Sequence, residues 1–222
     1  MLLKLDNIAK FYGSRLVFKE ASLELGRGET ILLAGSNGAG KTTLLKIMAG
    51  LLRPSAGTLS YGLKEDEQIG YLGHQTFIYP ALSALENLMF WNKLHALGKG
   101  EAEIIALLER VELSQFSHER AGSFSRGMAQ RLNLARILLI SPALLLLDEP
   151  STGLDTRSRT MLDKEIKAAG ERGAGIVWIS HSLIEDLPKA DKVAILASSR
   201  LDFFGDGAAY SAYITEHAEA AS

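Results

Sequence analysis

Cysteine is absent from this chain of 222 residues, so the sequence can form neither a disulfide framework nor a thiolate metal site. Long apolar runs are also lacking, because Asn133, Arg136 and Pro142 interrupt the most apolar region, residues 132–147. A helix needs about 20 consecutive apolar residues to span a bilayer. We therefore expect any role at a membrane to depend on a partner protein.

Charge of one sign is not in excess either. The chain has 24 Lys and Arg against 26 Asp and Glu, which gives a formal net charge of −2. Proteins that bind nucleic acid neutralise phosphates with clustered Lys and Arg, and such clusters are missing from the sequence, so we expect no nucleic-acid partner. Residues 1–6 alternate like a strand and carry no long apolar core or cleavage site, so we do not interpret them as a signal peptide.

The most informative segment that is present combines glycines, a lysine and a hydroxyl. It reads Gly35, Ser36, Asn37, Gly38, Ala39, Gly40, Lys41 and Thr42, which matches the pattern G-x-x-x-x-G-K-[ST]. Glycines in such a loop let backbone N–H groups point at phosphate oxygens, and the N-terminus of a helix adds its positive end. We expect Lys41 to reach the β- and γ-phosphates and Thr42 to ligate Mg²⁺, with Thr43 next in the same nucleotide site.

The residues around this loop predict its structural context. The apolar run 29–34 is typical of a buried strand, and residues 43–50 predict a helix that stops at Gly50. A second apolar run, 144–147, ends in Asp148 and Glu149, where an open α/β sheet presents its ligands. Asp148 is suited to orient the Mg²⁺ shell, and Glu149 to position and polarise the attacking water. The predicted cofactors are ATP and Mg²⁺.

Hydrophobic periodicity divides the chain into three regions. Four predicted strands form a mostly antiparallel sheet around the phosphate loop, at residues 2–8, 16–25, 58–61 and 69–72. From about 83 to 140 the period becomes helical, which predicts an inserted helical lobe. Strands at 144–147 and 175–179, separated by a helix at 156–169, then indicate parallel pairing with a crossover helix.

An ordered series of motifs along almost the whole chain resembles the ATP-binding cassette (ABC) ATPases. The series is Tyr12, the phosphate loop, Gln75, residues 124–131, Asp148 with Glu149, residues 151–155, and His181. The resemblance implies an α/β fold with a P-loop NTPase (RecA-like) core, an antiparallel β subdomain and an inserted α-helical subdomain. Residues 1–222 then form a single ABC ATPase domain, with the core and β subdomain at about 1–75 and 141–222 and the helical subdomain at about 76–140.

Three polar or aromatic side chains acquire roles in the nucleotide site through this resemblance. Tyr12 is expected to stack on adenine. Gln75 is expected to touch Mg²⁺ or the attacking water and to sense the γ-phosphate. His181 is expected to hydrogen-bond the γ-phosphate and to help hold the water.

The family also pairs two cassettes head to tail around two ATP molecules, so that the signature segment of one subunit completes the site of the other. Ser125 and Gly127 are the residues expected to reach the γ-phosphate bound by the second copy, and Asp155 is expected to act across the interface. The signature departs from the usual Leu-Ser-Gly-Gly-Gln at Phe124, Arg126 and Met128. A cation at position 126 is electrostatically compatible with nearby phosphates.

Two further segments resemble the haem-exporter ATPase subunit of the bacterial cytochrome c maturation system. They are residues 72–75 and 82–88, and the signature variant agrees. The resemblance implies a peripheral subunit at the cytoplasmic face of the inner membrane, bound to integral membrane subunits and coupling ATP hydrolysis to haem export or haem-chaperone release. No direct haem binding is expected, because the five histidines show no ligand-like clustering.

Other interpretations stay open at the level of the sequence. The chain could serve another exporter, of a drug, lipid or polysaccharide, or act as a nucleotide-gated module on ribosomes or chromosomes. A small P-loop kinase or GTPase is disfavoured by the signature segment and His181. Five residues after Gln75 are candidates either for core packing or for a groove in which a partner's helix docks: Phe77, Ile78, Tyr79, Phe90 and Trp91.

Overall fold

Nine strands in the described part of the chain form one sheet, in the order β4-β1-β2-β9-β8-β3-β7-β6-β5. The structure is a computed structural model and describes residues 1–73, 75–180, 183–211 and 213. The strands are β1 (Leu3–Tyr12), β2 (Arg15–Leu25), β3 (Thr30–Ala34), β4 (Ala56–Tyr61), β5 (Ile69–Leu72), β6 (Leu144–Asp148), β7 (Gly175–Ile179), β8 (Lys192–Ala197) and β9 (Arg200–Asp206). The helices are α1 (Lys41–Met48), α2 (Ala84–Leu94), α3 (Glu101–Arg110), α4 (Arg126–Leu139), α5 (Thr156–Glu171) and α6 (Leu183–Asp186).

The centre of the sheet is parallel and buried on both faces. Every residue of β3, β6 and β7 is buried, as their continuous apolar sequences predict. Successive side chains point to opposite faces, so the strands feed two cores. Leu145 and Trp178 pack with the helical lobe, whereas Leu144 and Val177 pack with α1 and the β subdomain.

The predicted pairing of one strand is wrong. Residues 69–72 were expected to join the antiparallel strands, but β5 pairs in parallel with β6, from Ile69 opposite Leu144 to Leu72 opposite Leu147. The reason is the long connection, since the chain leaves β5 through the helical lobe and returns along α4. Such a crossover brings the next strand back in the same direction. The antiparallel subdomain is made by β1 with β2 and β4 instead.

The fold class expected from the sequence is confirmed. A parallel α/β core carries an antiparallel β subdomain at one end of the sheet and a helical subdomain, α2 to α4, inserted between β5 and β6. The helix after the phosphate loop ends near the predicted stop, where Gly50 has φ 71° and donates to the carbonyl of Ile47. Among the described residues, no helix has the length and apolarity needed to cross a membrane.

Candidate nucleotide-binding and catalytic site

The phosphate loop and the two acidic residues meet at one edge of the parallel sheet. The loop runs from the end of β3 to the first residue of α1, and Asp148 is the last residue of β6. Strand β7 lies between them, with Ile179 paired both to Leu33 and to Asp148. The Thr42 hydroxyl donates a hydrogen bond of 3.0 Å to Asp148 Oδ1. The structure therefore brings together the predicted metal-ligating pair.

The loop conformation depends on a glycine at its start. Gly35 has φ 145°, and a Cβ there would lie 2.2 Å from the carbonyl oxygen of Leu196 on β8, so no larger residue fits. Lys41 is buried, and its ammonium donates to the carbonyls of Gly35 and Ser36 at 2.8 and 3.0 Å. Both acceptors are neutral, so the lysine charge is available to a phosphate bound in the loop.

A cavity of about 710 Å³ opens in front of this loop. It is lined by Tyr12, Arg15, Val17, Asn37, Gly38, Gly40, Lys41, Thr42, Thr43 and Glu149. A volume of this size is ordinary for a small-molecule site. Of the residues predicted to bind the nucleotide, Tyr12 and most of the loop thus share one cavity with the predicted catalytic Glu149.

Arg15 and Val17 are lining residues that the sequence reasoning missed. Arg15 pairs with Tyr12 across the β1–β2 hairpin, and Val17 lies two residues further along β2. Alternation along a strand places Arg15 and Val17 on one face. Val17 also packs on the loop, because a Cβ on Gly40 would lie 2.7 Å from its methyl carbon. The sequence feature that could have identified Arg15 and Val17 is the register of the β1–β2 hairpin, which has Gly13 in its turn.

The Tyr12 side chain is exposed at the cavity. It is 54% exposed at the end of β1. The Lys10 ammonium lies 5.2 Å from the centre of the ring and donates to the carbonyl of Arg53 at 2.9 Å. Lys10 is not among the residues that line the cavity.

Glu149 lies in an unusual backbone conformation for a non-glycine residue. Its φ is 53°, in the left-handed region, which costs about 1–3 kcal/mol. The neighbouring structure holds it there, because its N–H donates to the carbonyl of Ile179 at 3.2 Å. The resulting turn out of β6 leaves its side chain on the cavity wall. Its place on the cavity wall supports a functional rather than a packing role.

The donors around Asp148 fit the chemistry of Mg²⁺. Asp148 is 1% exposed, and Tyr71 donates to its Oδ2 at 3.4 Å while Thr42 donates to Oδ1. Burial, together with the negative charge of Asp148, raises the pKa of Tyr71. Among the described residues, no group of three or more His, Cys, Asp or Glu could hold a metal. Mg²⁺ is usually bound by one or two carboxylates and by substrate phosphates, so Thr42 and Asp148 suit it.

Several predicted site residues lie elsewhere in the described structure. Gln75, Ser125, Gly127 and Asp155 do not line the cavity beside the phosphate loop. Ser125 begins α4 as its N-cap, where its hydroxyl accepts from the Met128 N–H at 3.2 Å. His181 lies outside the described residues, so its role stays a prediction.

Asp155 and Arg126, the cation in the signature segment, both contact residues of their own chain. Asp155 caps α5 and accepts from the Ser158 N–H at 2.7 Å, and this hydrogen bond lowers the pKa of Asp155. The Arg126 guanidinium packs on Gly153, since a Cβ there would lie 3.0 Å from Arg126 Cζ. Arg126 also helps line a second cavity of about 190 Å³ with Asp148 and Glu149. The substituted signature residue thus lies beside the acidic end of β6.

The five candidate docking residues divide into two groups. Phe77, Tyr79 and Phe90 are 48%, 45% and 40% exposed, and we call these three the aromatic surface. The rings of Tyr79 and Phe90 lie 4.8 Å apart, edge to face. Ile78 and Trp91 pack against the core of the helical lobe instead. Core packing therefore explains two of the five, and the other three remain available at the surface.

The fold and this site define a P-loop nucleotide-binding protein. Comparison with known protein families matches residues 18–152 to the family described as ABC transporter. The chain belongs to this family and is an ATP-binding subunit of an ABC transporter. Its ABC ATPase domain supports the conclusion that the chain is an enzyme that hydrolyses ATP.

Relatives with different names match to similar degrees. The linearmycin resistance ATP-binding protein LnrL of Bacillus subtilis is 34% identical over 92% of this chain and 69% of its own length. The cytochrome c biogenesis ATP-binding export protein CcmA of Rhodopseudomonas palustris is 39% identical over 77% of this chain and 86% of its own. The ABC transporter ATP-binding protein NatA of Bacillus subtilis is 33% identical over 99% of this chain and 94% of its own.

Solved structures agree on the fold. The ATP-binding subunit of an ABC transporter superposes with a TM-score of 0.86 at 26% identity, covering 97% of this chain and 94% of that chain. An ATP-binding cassette in an ADP conformation superposes with a TM-score of 0.78 at 21% identity, covering 93% and 91%. At 21% identity, the second likeness shows the fold alone.

Replacing Tyr12 by Ala should weaken ATP binding by roughly 5-fold to 150-fold, since stacking of a base on an aromatic ring is worth about 1–3 kcal/mol. Tyr12→Phe keeps the ring and should bind almost as the unchanged protein does. Titration with a fluorescent ATP analogue gives both affinities, and urea unfolding checks that neither variant has lost its fold. Equal affinity of the Tyr12→Ala protein would exclude stacking.

Proposed function

We propose that this chain hydrolyses Mg-ATP as one half of a head-to-tail dimer and thereby drives export through integral membrane subunits. The observation that carries the proposal is the 3.0 Å hydrogen bond between Thr42 and Asp148, with Glu149 on the wall of the same cavity. Phosphate binding, metal binding and activation of water all need groups at this edge of the sheet.

Each group at the edge has a part in the reaction. The loop N–H groups and Lys41 bind and orient the phosphates, while the Thr42 hydroxyl and the Asp148 carboxylate hold Mg²⁺. When bound, the metal neutralises charge on the phosphate oxygens. The Glu149 carboxylate orients the attacking water and accepts its proton. Gln75 and His181 are proposed to respond to the γ-phosphate.

The dimer is proposed because two signature residues, Ser125 and Gly127, do not line the chain's own cavity beside the phosphate loop. Ser125 is exposed at the N-terminus of α4, and a Cβ placed on Gly127 would meet no other part of the described chain within 4 Å. Exposed N–H groups at a helix start attract an anion. A second copy, turned head to tail, can bring these groups to the phosphates that the first copy binds. Asp155 is proposed to act at the same interface.

The aromatic surface is proposed to be where the membrane subunits dock. Phe77 and Tyr79 follow Gln75 in the chain, and Phe90 lies on α2. Exposed aromatic side chains in one cluster are typical of interaction sites. In this arrangement the chain lies at the cytoplasmic face of the inner membrane, peripheral to its partners.

Haem export for c-type cytochrome maturation is the proposed transport task. Support comes from residues 72–75 and 82–88 and from CcmA relatives that are 36% to 39% identical. A second candidate is drug export, which the match to LnrL over 92% of the chain favours. Haem is not proposed to bind to this chain itself.

Changing Glu149 to Gln removes the proposed base and keeps the shape of the side chain. We expect ATP binding to persist, hydrolysis to fall by about 100-fold or more, and an ATP-dependent dimer to accumulate, because a general base contributes about 10²–10⁴-fold. Phosphate release and light scattering after gel filtration measure the two effects. Glu109→Gln, on the exposed face of α3, is the matched control and should behave as the unchanged protein. Unchanged turnover of Glu149→Gln at saturating Mg-ATP would contradict the assignment.

The transport task is tested by expressing the chain, with its proposed membrane subunits, in two bacterial strains. One strain lacks its own haem-export ATPase, and the other is sensitive to linearmycin. We expect haem-stained c-type cytochromes to return in the first strain and drug tolerance to stay unchanged in the second. Glu149→Gln should abolish the recovery, and Tyr79→Ala should reduce it while the isolated protein unfolds at nearly the same urea concentration. Drug tolerance without recovery of cytochromes would overturn haem export.

A further inference from the structure

Tyr71 contacts the metal-ligating end of β6 from the neighbouring strand. It lies on β5, next to β6, and its half-buried hydroxyl donates to Asp148 Oδ2 at 3.4 Å. The Thr42 hydroxyl occupies the other oxygen, Oδ1, at 3.0 Å. The two hydroxyls therefore approach the two oxygens of one buried carboxylate, and together they restrict its rotation.

The same tyrosine ring is packed against the start of the segment that carries Gln75. A Cβ added to Gly73 would lie 2.7 Å from the Tyr71 hydroxyl and 2.7 Å from its Cε1. The hydroxyl end of the ring thus fills the space that a side chain of residue 73 would need. Gly73 has no positive φ, so this close approach accounts for the glycine where backbone conformation does not.

The backbone of Tyr71 is tied to the signature helix. Its carbonyl accepts from Arg136 Nη2, on α4, at 3.5 Å. The same guanidinium lies 5.3 Å from the ring centre of Phe77, two residues after Gln75. Asn133 Oδ1 accepts from Arg136 Nε at 3.0 Å and from the same Nη2 at 2.9 Å, which fixes the orientation of the group. Both sides of the Gln75 segment are therefore attached to one cation on α4.

We infer that Tyr71 is a positioning residue that links the Gln75 segment to Asp148. Its hydroxyl holds the carboxylate in the orientation that presents Oδ1 beside Thr42, and its ring transmits displacement of residues at Gly73 to that hydrogen bond. The inference rests on the proposed function, because it assumes that Asp148 holds Mg²⁺. Tyr71 itself makes no contact with the phosphate cavity in the described structure.

The first test is Tyr71→Phe, which removes the hydroxyl and keeps the ring. We expect the affinity for Mn²⁺, used as a paramagnetic substitute in the presence of ATP, to weaken by roughly 3-fold to 10-fold, the size of effect that loss of one ordinary hydrogen bond produces. Electron paramagnetic resonance of free Mn²⁺ measures this directly. At saturating metal, kcat should fall while the KM for ATP stays nearly constant. The matched control is Tyr61→Phe, since the Tyr61 hydroxyl donates to the Met48 carbonyl at 2.9 Å, away from this carboxylate.

Gly73→Ala tests the ring contact with the hydroxyl still present. The added methyl group pushes against the far end of the Tyr71 side chain, which can move, so the fold should survive and Mn²⁺ affinity should weaken in the same direction. Because both changes act on one hydrogen bond, their effects should not add. The double variant should bind Mn²⁺ with about the affinity of whichever single variant binds it less tightly. Fully additive effects would contradict a shared contact.

A third variant separates failure of this inference from failure of the proposed function. Asp148→Asn should weaken Mn²⁺ binding more than Tyr71→Phe does. If Asp148→Asn weakens binding and Tyr71→Phe binds Mn²⁺ and turns over like the unchanged protein, the role of Tyr71 is wrong while that of Asp148 stands. If Asp148→Asn also leaves Mn²⁺ affinity unchanged, both assignments fall.

Discussion

The site depends on the parallel register of three buried strands, β3, β7 and β6. Ile179 pairs with Leu33 on one side and with Asp148 on the other, so the ends of all three strands lie level. That alignment is what allows the Thr42 hydroxyl, at the start of α1, to reach Asp148 at 3.0 Å. A slip of one residue would turn every side chain to the opposite face and break the contact. The cores on both sides of the sheet fix the register of these strands, and the register in turn positions Thr42 and Asp148.

Two strained backbone positions lie at the same edge. Gly35, at φ 145°, lies against the carbonyl of Leu196, and Glu149 has a left-handed φ of 53°. The fully buried strands on either side hold these conformations, which isolated segments would not keep. The binding groups are thus largely arranged before a ligand arrives, which lowers the entropic cost of binding.

The contacts of Asp148 extend away from the nucleotide in two directions. Toward the β subdomain, the phosphate loop packs on Val17, whose strand pairs with that of Tyr12. Toward the helical lobe, Tyr71 connects β6 with β5 and, through its carbonyl, with Arg136 on α4. Burial lowers the pKa of Arg136 to about 10, and its contacts are with neutral groups and rings. These contacts connect the metal-ligating carboxylate with Trp91 and with Phe77 of the aromatic surface.

Local sequence patterns predict much of this arrangement. The features that they do not predict depend on pairing between strands that are distant in the sequence. The phosphate loop, the buried strands around it and the helical insertion have strong local signals, and the fold class follows from their order. The position of β5 depends on a crossover of more than seventy residues, from Leu72 to Leu144, which strand periodicity does not report. Arg15 and Val17 follow only from hairpin register, and the Tyr71 contact only from pairing of β5 with β6. The roles of Ser125, Gly127 and Asp155 concern a second copy, so one chain's sequence pattern cannot place them against a ligand.

The central claim is that this edge is half a site, completed by the signature segment of another copy. The absence of cysteine permits a direct measurement, because introduced thiols are then the only ones in the protein. Chains carrying Asn37→Cys are mixed with chains carrying Ser125→Cys, both with Glu149→Gln, and treated with a short thiol-reactive cross-linker. The account predicts a covalent dimer that forms in the mixture with ATP and not without it, and that neither variant forms alone. Chains that bind ATP but give no ATP-dependent cross-link in the mixture would contradict the shared site.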